Sequence, residues 1–237
     1  MRVLVTRPVE KAEGTCARLV AMGHQAFSLP LFRPVHFDDV VKAALAARHW
    51  RALAVTSAEA LENVEASRDA PGFRDLPVFA VGRKTAEAAR AAGFAQVIDG
   101  GGDGERLAET IAAFPSAGDG PLLYLAGDPR APVFEETLRR LGLTFETVTA
   151  YAMQPVTDLP VETVLDEAKP EAVLFYSAAA AARFFTLAPP QLLTDHGLTP
   201  LFLCLSAKVA AVVPPSLSAS ARIAAAPDED NLLSLLN

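Results

Sequence analysis

The sequence predicts an α/β protein with two parallel five-stranded sheets, each carrying helices on both faces. Three observations carry the prediction. Short β-branched or apolar runs alternate with Ala-rich segments of helical period, ten such runs can be placed, and the second half of the chain repeats the first. At 237 residues and 51% hydrophobic content the chain is long enough to bury two cores and far too apolar for disorder. No apolar run reaches the roughly 18 residues of a membrane-spanning helix without Pro, Gly or charge interrupting it.

The first strand is Val3–Thr6, a β-branched run stopped by Arg7-Pro8, and the second is Ala26–Leu29, which follows the Leu19-Val-Ala-Met-Gly23 helix end. Ala52–Thr56 and Val78–Val81 are apolar throughout until they meet Ser57 and Gly82. Gln96–Ile98 is short and leads into the glycine run at 100–102. Leu122–Leu125 is a wholly apolar run, and Phe145–Thr149 follows the helix end at Gly142. Val173–Tyr176, Leu201–Leu205 and Ala221–Ala225 complete the set. Helical pattern fills nearly every interval, and βαβα order implies parallel strands covered on both sides.

The repeat assigns these strands to two halves. Arg51-Ala-Leu-Ala-Val-Thr-Ser57 corresponds to Glu171-Ala-Val-Leu-Phe-Tyr-Ser177, and Pro77-Val-Phe-Ala-Val-Gly82 to Pro200-Leu-Phe-Leu-Cys-Leu205. Each half also carries an extended, Pro-bearing segment after its second strand: Pro30-Leu-Phe-Arg-Pro34-Val-His-Phe37 and Ala152-Met-Gln-Pro155-Val-Thr-Asp-Leu-Pro160. Proline disfavours helix at itself and at the preceding residue, so both read as stiff connectors placed as paired hinges. Crossing at both would join the first 33 residues to the last third of the chain. The repeat is equally compatible with two consecutive lobes.

The chemistry sits where strands meet helices. Val5-Thr6-Arg7-Pro8, Val55-Thr56-Ser57, Val81-Gly82-Arg83-Lys84-Thr85, Leu125-Ala126-Gly127-Asp128-Pro129-Arg130, Tyr176-Ser177 and Leu205-Ser206 all fall at the carboxyl edge of a parallel sheet. There the first helical N–H groups and the helix dipole favour carboxylates or phosphates, while the hydroxyls also serve as ordinary N-caps. A net charge of −7 argues against nucleic acid and anionic membrane surfaces, and requires local donors for any anionic ligand. Gly100-Gly101-Gly102-Asp103-Gly104 matches neither a dinucleotide nor a Walker fingerprint, and reads as a flexible loop with a helix entered near Gly104.

His24, His36, His49 and His196 lack metal-ligand spacing and read as surface or loop residues. Cys16 and Cys204 read as buried small apolar residues, without disulfide or zinc. No G-x-S-x-G elbow supports a serine hydrolase. The apolar stretch between Arg2 and Arg7 is too short for a secretory signal core, so the expected location is cytoplasmic.

Taken in order, Val3-Leu-Val-Thr-Arg-Pro8, the Thr56-Ser57 turn, Val81-Gly-x-x-Thr85-Ala86, the Leu138-x-x-x-Gly142 helix end with a strand running to Tyr151, and the Tyr176-Ser177 turn resemble the uroporphyrinogen-III synthase family over essentially the whole chain. The resemblance implies two flavodoxin-like lobes joined by a two-stranded linker. One lobe is discontinuous over 1–33 and 156–237, the other spans 37–151, and the linkers are 30–37 and 152–160. It also implies a cofactor-free, metal-free enzyme of tetrapyrrole and heme biosynthesis. The reaction closes the polycarboxylate hydroxymethylbilane with loss of water and inversion of ring D.

Carried over by motif, Tyr151 is the expected proton donor, and Arg7, Ser57, Gly82, Thr85, Gly127, Arg130, Ser177 and Ser206 line the substrate cleft. Lys208, Glu59 and Asp128 depart from the family pattern, and the two acids are expected to point to solvent. The expected partners are the tetrapyrrole substrate and, transiently, the enzyme that makes it, with the protein itself monomeric and bound to neither nucleic acid nor membrane. The alternative reading is a non-catalytic two-lobed small-molecule binder, which would normally carry an export signal. A nucleotide-dependent α/β enzyme would need the phosphate loop that is missing.

Overall fold

A computed structural model describes residues 1–62, 64, 73–114 and 120–236. Among them the strands are Arg2–Val5 (β1), Gln25–Ser28 (β2), Phe32–His36 (β3), Ala52–Val55 (β4), Val78–Ala80 (β5), Val97–Asp99 (β6), Leu122–Asp128 (β7), Phe145–Pro155 (β8), Ala172–Phe175 (β9), Leu201–Cys204 (β10) and Ala221–Ile223 (β11). The α-helices are Val9–Ala21 (α1), Asp38–Ala47 (α2), Arg83–Ala91 (α3), Gly104–Ala113 (α4), Val133–Arg140 (α5), Val161–Ala168 (α6), Ala178–Leu187 (α7), Pro190–Asp195 (α8), Ala207–Ala210 (α9) and Glu229–Leu233 (α10). The chain divides into two compact units, Met1–Arg33 with Gln154–Asn237, and Pro34–Met153.

The first unit holds a five-stranded sheet in the order β11-β10-β9-β1-β2, every neighbouring pair parallel. Its central strands are buried on both faces because their side chains alternate between two cores. Val3 and Val5 of β1, Ala172 and Leu174 of β9 and Leu203 of β10 enter one core with Leu19, Leu232 and Leu233. Leu4, Val173, Phe175, Phe202 and Cys204 enter the other, against Phe184 of α7 and Leu165 of α6. Phe175, Phe184, Phe185 and Phe202 pack there with ring centroids 5.1–6.5 Å apart, the separation at which edge-on aromatic pairs attract. Helices on both faces are what a parallel sheet needs to remove its backbone from water.

The sheet of the second unit corrects the expectation of five parallel strands. It has six, in the order β3-β8-β7-β4-β5-β6, and is mixed. β4 to β8 are parallel among themselves, but β3 runs against β8: the Phe37 N–H donates to the Ala150 carbonyl and the Val156 N–H to the Leu31 carbonyl, so one strand ascends as the other descends. The residue pattern alone read 30–37 as a stiff connector, whereas the family resemblance implied a two-stranded linker there; β3 is a strand that joins this sheet. Pro34 hid it, because proline reads as a strand breaker, yet β3 lies at the sheet edge, where one missing donor is tolerated. The second presumed connector, 152–160, likewise begins as strand, since β8 continues to Pro155.

Leu53 and Val55 of β4 and Leu123 and Leu125 of β7 enter one core of this unit, whereas Ala52, Ala54, Leu122, Tyr124 and Ala126 enter the other. The alternation is strict until β8 reaches its bulge. Ala126 of β7 pairs with Thr149, but the next residue, Gly127, pairs with Tyr151, leaving Ala150 as the extra residue. A bulge of this kind sends two consecutive side chains to one face and kinks the strand. Ala150 and Tyr151 accordingly both pack on the core of Leu53, Val55 and Leu125. In unbroken register Tyr151 would have pointed to the opposite side of the sheet.

The glycine run leads into a helix entered at Gly104, as expected. Gly101 and Gly102 take positive φ, and the Asp103 carboxylate accepts the Arg106 N–H at 2.9 Å to cap α4, which begins at Gly104. Cys204 is fully buried and Cys16 partly so, both as free thiols.

Candidate active site

Six of the sequence-predicted residues, Ser57, Gly82, Thr85, Gly127, Arg130 and Tyr151, belong to the second unit. The bulge in β8 lays the Tyr151 ring across Gly127. A Cβ on Gly127 would lie 2.4 Å from Tyr151 Cζ and 2.5 Å from its Oη, so only glycine admits the ring there. The Ser57 hydroxyl lies beside the phenol and favours its ionised form. Ser57 itself opens the 3-10 turn Ala58–Leu61, and its Oγ accepts the Glu59 N–H at 3.2 Å.

Burial pushes the Tyr151 phenol above its ordinary pKa, the neighbouring Ser57 hydroxyl opposes that push, and the Glu59 carboxylate adds to it. The group therefore stays a proton carrier across the neutral range. Close by in sequence, the Thr56 hydroxyl and the buried Tyr124 phenol share a hydrogen bond of 2.8 Å.

Glu59 corrects an expectation. Its side chain is 15% exposed and its Oε1 lies 3.0 Å from His36 Nε2, so it does not point to solvent. His36 is correspondingly no surface or loop histidine: it sits in β3, and its ring centroid lies 6.1 Å from that of Tyr151 at a tilt of 49°. Asp128 is exposed.

The remaining residues of this unit occupy strand-to-helix turns. Gly82 is the N-cap residue of α3 in extended conformation, and Thr85 is buried on that helix. Arg130 donates to Glu135 Oε1 at 2.8 Å, while Arg139 donates to the other oxygen at 2.9 Å. Burial raises the Glu135 carboxyl, but the two arginine bonds outweigh it and hold the group below its usual range.

In the first unit, the Ser177 Oγ accepts the Ala180 N–H at 3.1 Å and caps α7, whereas Ser206 precedes α9 without a side-chain cap. Lys208 is exposed. Arg7 is engaged rather than free. Its Nη1 donates to Glu229 Oε1 at 2.7 Å and to Thr15 Oγ1 at 3.1 Å, and its guanidinium lies 4.1 Å over the Tyr176 ring. Glu229 also accepts from Thr15 at 2.6 Å, Tyr176 at 2.7 Å and Arg18 at 3.0 Å. Burial raises the Glu229 carboxyl, yet these donors and the arginine charges prevail and hold it below its usual value.

Sequence reading missed the roles of His36, Tyr124 and Glu229. Their partners are 23, 68 and up to 222 residues away, and no local pattern marks such pairs. Among the described residues no group of three His, Cys, Asp or Glu side chains is placed to hold a metal ion. Nor, among them, is any helix long and apolar enough to cross a membrane.

The sequence profile of the family described as uroporphyrinogen-III synthase HemD matches residues 14–234. The chain belongs to the uroporphyrinogen-III synthase family. Its fold is similar to that of uroporphyrinogen-III synthetase from Helicobacter pylori 26695, with a TM-score of 0.66 at 17% identity, covering 100% of this chain and 98% of that one. A mutant uroporphyrinogen III synthase from the extremely thermophilic bacterium Thermus thermophilus gives a TM-score of 0.59 at 18% identity, covering 100% and 96%. Identities this low speak to fold alone. A search among curated proteins returned no match. The uroporphyrinogen-III synthase family acts on a tetrapyrrole substrate.

Proposed function

We infer that this protein closes linear hydroxymethylbilane to uroporphyrinogen III, a cyclising hydro-lyase step of heme biosynthesis. The family match over residues 14–234 carries the inference. In our reading Tyr151 is the acid. Its phenol gives a proton to the departing hydroxyl of the substrate, water leaves, and a positively charged azafulvenium forms beside the phenolate. Ring closure later releases a proton from the substrate, which returns the phenolate to phenol, so the cycle balances. The hydroxyl held between Ser57 and Gly127 supports this reading, because a proton donor must be aimed before it is useful.

The substrate's carboxylates need donors that a protein of net charge −7 must supply locally. Among the residues named for that role, the Gly82–Thr85 and Gly127–Arg130 turns belong to one unit, and Arg7, Ser177 and Ser206 to the other. We read the two units as flavodoxin-like lobes, and the first two turns of α3 and α7 as carboxylate-binding ends. A monomer working in the cytoplasm, in transient contact with the enzyme that supplies its unstable substrate, completes the reading. The test is incubation with freshly generated hydroxymethylbilane and separation of the type I and type III products. Type III product at a rate above that of spontaneous closure is expected, and type I alone at the spontaneous rate would refute the assignment.

A further inference from the structure

Tyr151 is touched from two directions by one closed ring of contacts. Ser57 lies beside its hydroxyl, and the Glu59 N–H in the same turn donates to Ser57 Oγ. The Glu59 carboxylate meets His36 Nε2 at 3.0 Å, and the His36 ring packs back onto the Tyr151 ring at a centroid distance of 6.1 Å. The four residues come from three elements, β3, the turn after β4, and β8 beyond its bulge. The His36 and Glu59 side chains are 26% and 15% exposed, so their bond is sheltered from solvent competition in a way that surface pairs are not.

We propose that His36 and Glu59 are positioning residues that clamp the Tyr151 hydroxyl, Glu59 through the turn that carries Ser57 and His36 through the face of the ring. The proposal rests on Tyr151 being the proton donor. Its physical need is plain. Gly127 gives the ring room but no grip, because a glycine has no side chain to pack against the ring. The core of Leu53, Val55 and Leu125 backs one side of the ring, but without the clamp its hydroxyl end would still shift, and a displacement of about 1 Å is enough to spoil a proton transfer. The pairing also gives the Glu59 carboxylate a ring N–H donor when Nε2 of His36 carries the hydrogen.

The experiment is steady-state kinetics with hydroxymethylbilane on His36→Ala, Glu59→Ala, His36→Gln and Glu59→Gln, each made alone and with Tyr151→Phe. Loss of positioning lowers kcat by about tenfold in the alanine variants with KM changed less than about twofold. The glutamine variants, which retain an amide donor or acceptor near the lost atom, recover most of that loss. In the Tyr151→Phe background the alanine changes cost less than about twofold further, since the hydroxyl they aim is gone. Alanine variants at the parental kcat, or losses of equal size in both backgrounds, would overturn the clamp while leaving Tyr151 as donor. Tyr151→Phe at the parental rate would instead overturn the donor assignment, and the clamp with it. If an alanine variant fails to fold, His36→Asn, whose amide is too short to reach Glu59, makes the same comparison.

Discussion

Replacing Gly127 by alanine tests the geometry of the site most directly, because the added methyl lands on the ring of the proposed proton donor. Its Cβ would sit 2.4, 2.5 and 2.8 Å from Tyr151 Cζ, Oη and Cε1. Relaxed non-bonded contacts between carbons are about 3.5–4.0 Å, so the tip of the ring must retreat by about 1 Å. A shift of that size carries the hydroxyl away from Ser57, which lies beside it.

Two terms oppose each other in stability. Overpacking costs about 1–3 kcal/mol, whereas removing a glycine from a strand returns about 0.5–1 kcal/mol. The half-buried ring can swing outward, which favours the low end of the penalty, and a net loss of about 1 kcal/mol lowers the melting temperature by about 2–4 °C. Catalysis suffers more, by about 10²-fold, since the donor has moved. Turnover, product isomers and thermal unfolding are to be measured for Gly127→Ala with tyrosine and with alanine at position 151. Against Tyr151→Ala the methyl meets nothing and adds no further loss. A Gly127→Ala enzyme within about twofold of the parental rate, or a loss that persists when residue 151 is alanine, would refute the argument.

Tyr151→Phe slows turnover by about 10²-fold or less, at the low end for a general acid because an α-hydroxymethylpyrrole ionises readily, and leaves the product type III; a switch to type I at full rate of substrate loss would assign Tyr151 to folding the substrate instead. Glu229→Gln destabilises the protein by about 2–3 kcal/mol at pH 7, where the native carboxylate holds Arg7, Thr15, Tyr176 and Arg18. Its folded-state pKa is depressed, so its contribution is present above the unfolded value of about 4.3 and is lost as pH falls through the folded one. Urea midpoints of parent and variant therefore draw together as the pH falls below that unfolded value, and a gap that stays constant with pH would contradict the assignment. Burial pushes the Cys204 thiol up to about 11, so in the native protein at neutral pH it resists alkylation until denaturant is added; peptide mapping showing rapid Cys204 labelling would contradict its burial.

Composition, periodicity and the internal repeat were enough to reveal an α/β protein with parallel sheets, because those signals are local: alternation along a strand and helical spacing between strands need only neighbouring residues. Tyr151, Ser57 and Gly127 were legible as candidates by their family positions, each at or near a strand end. The residue pattern alone did not make the sixth strand legible, although the family resemblance implied a two-stranded linker at 30–37, since whether a Pro-bearing segment becomes a strand depends on whether an edge lies free for it to pair with.

Nor was the aim of Tyr151. Strand alternation assigns it to the wrong face, and only the extra residue at Ala150, fixed by the register of β8 on β7, turns it onto Gly127 and Ser57. His36 and Glu59 were both visible in the sequence, one read as a surface histidine and the other as a solvent-facing acid. They meet because β3 is brought near the turn after β4 on the second unit's sheet. Pairing across a sheet is settled by which strands become neighbours, a property of the whole chain that no window of sequence contains.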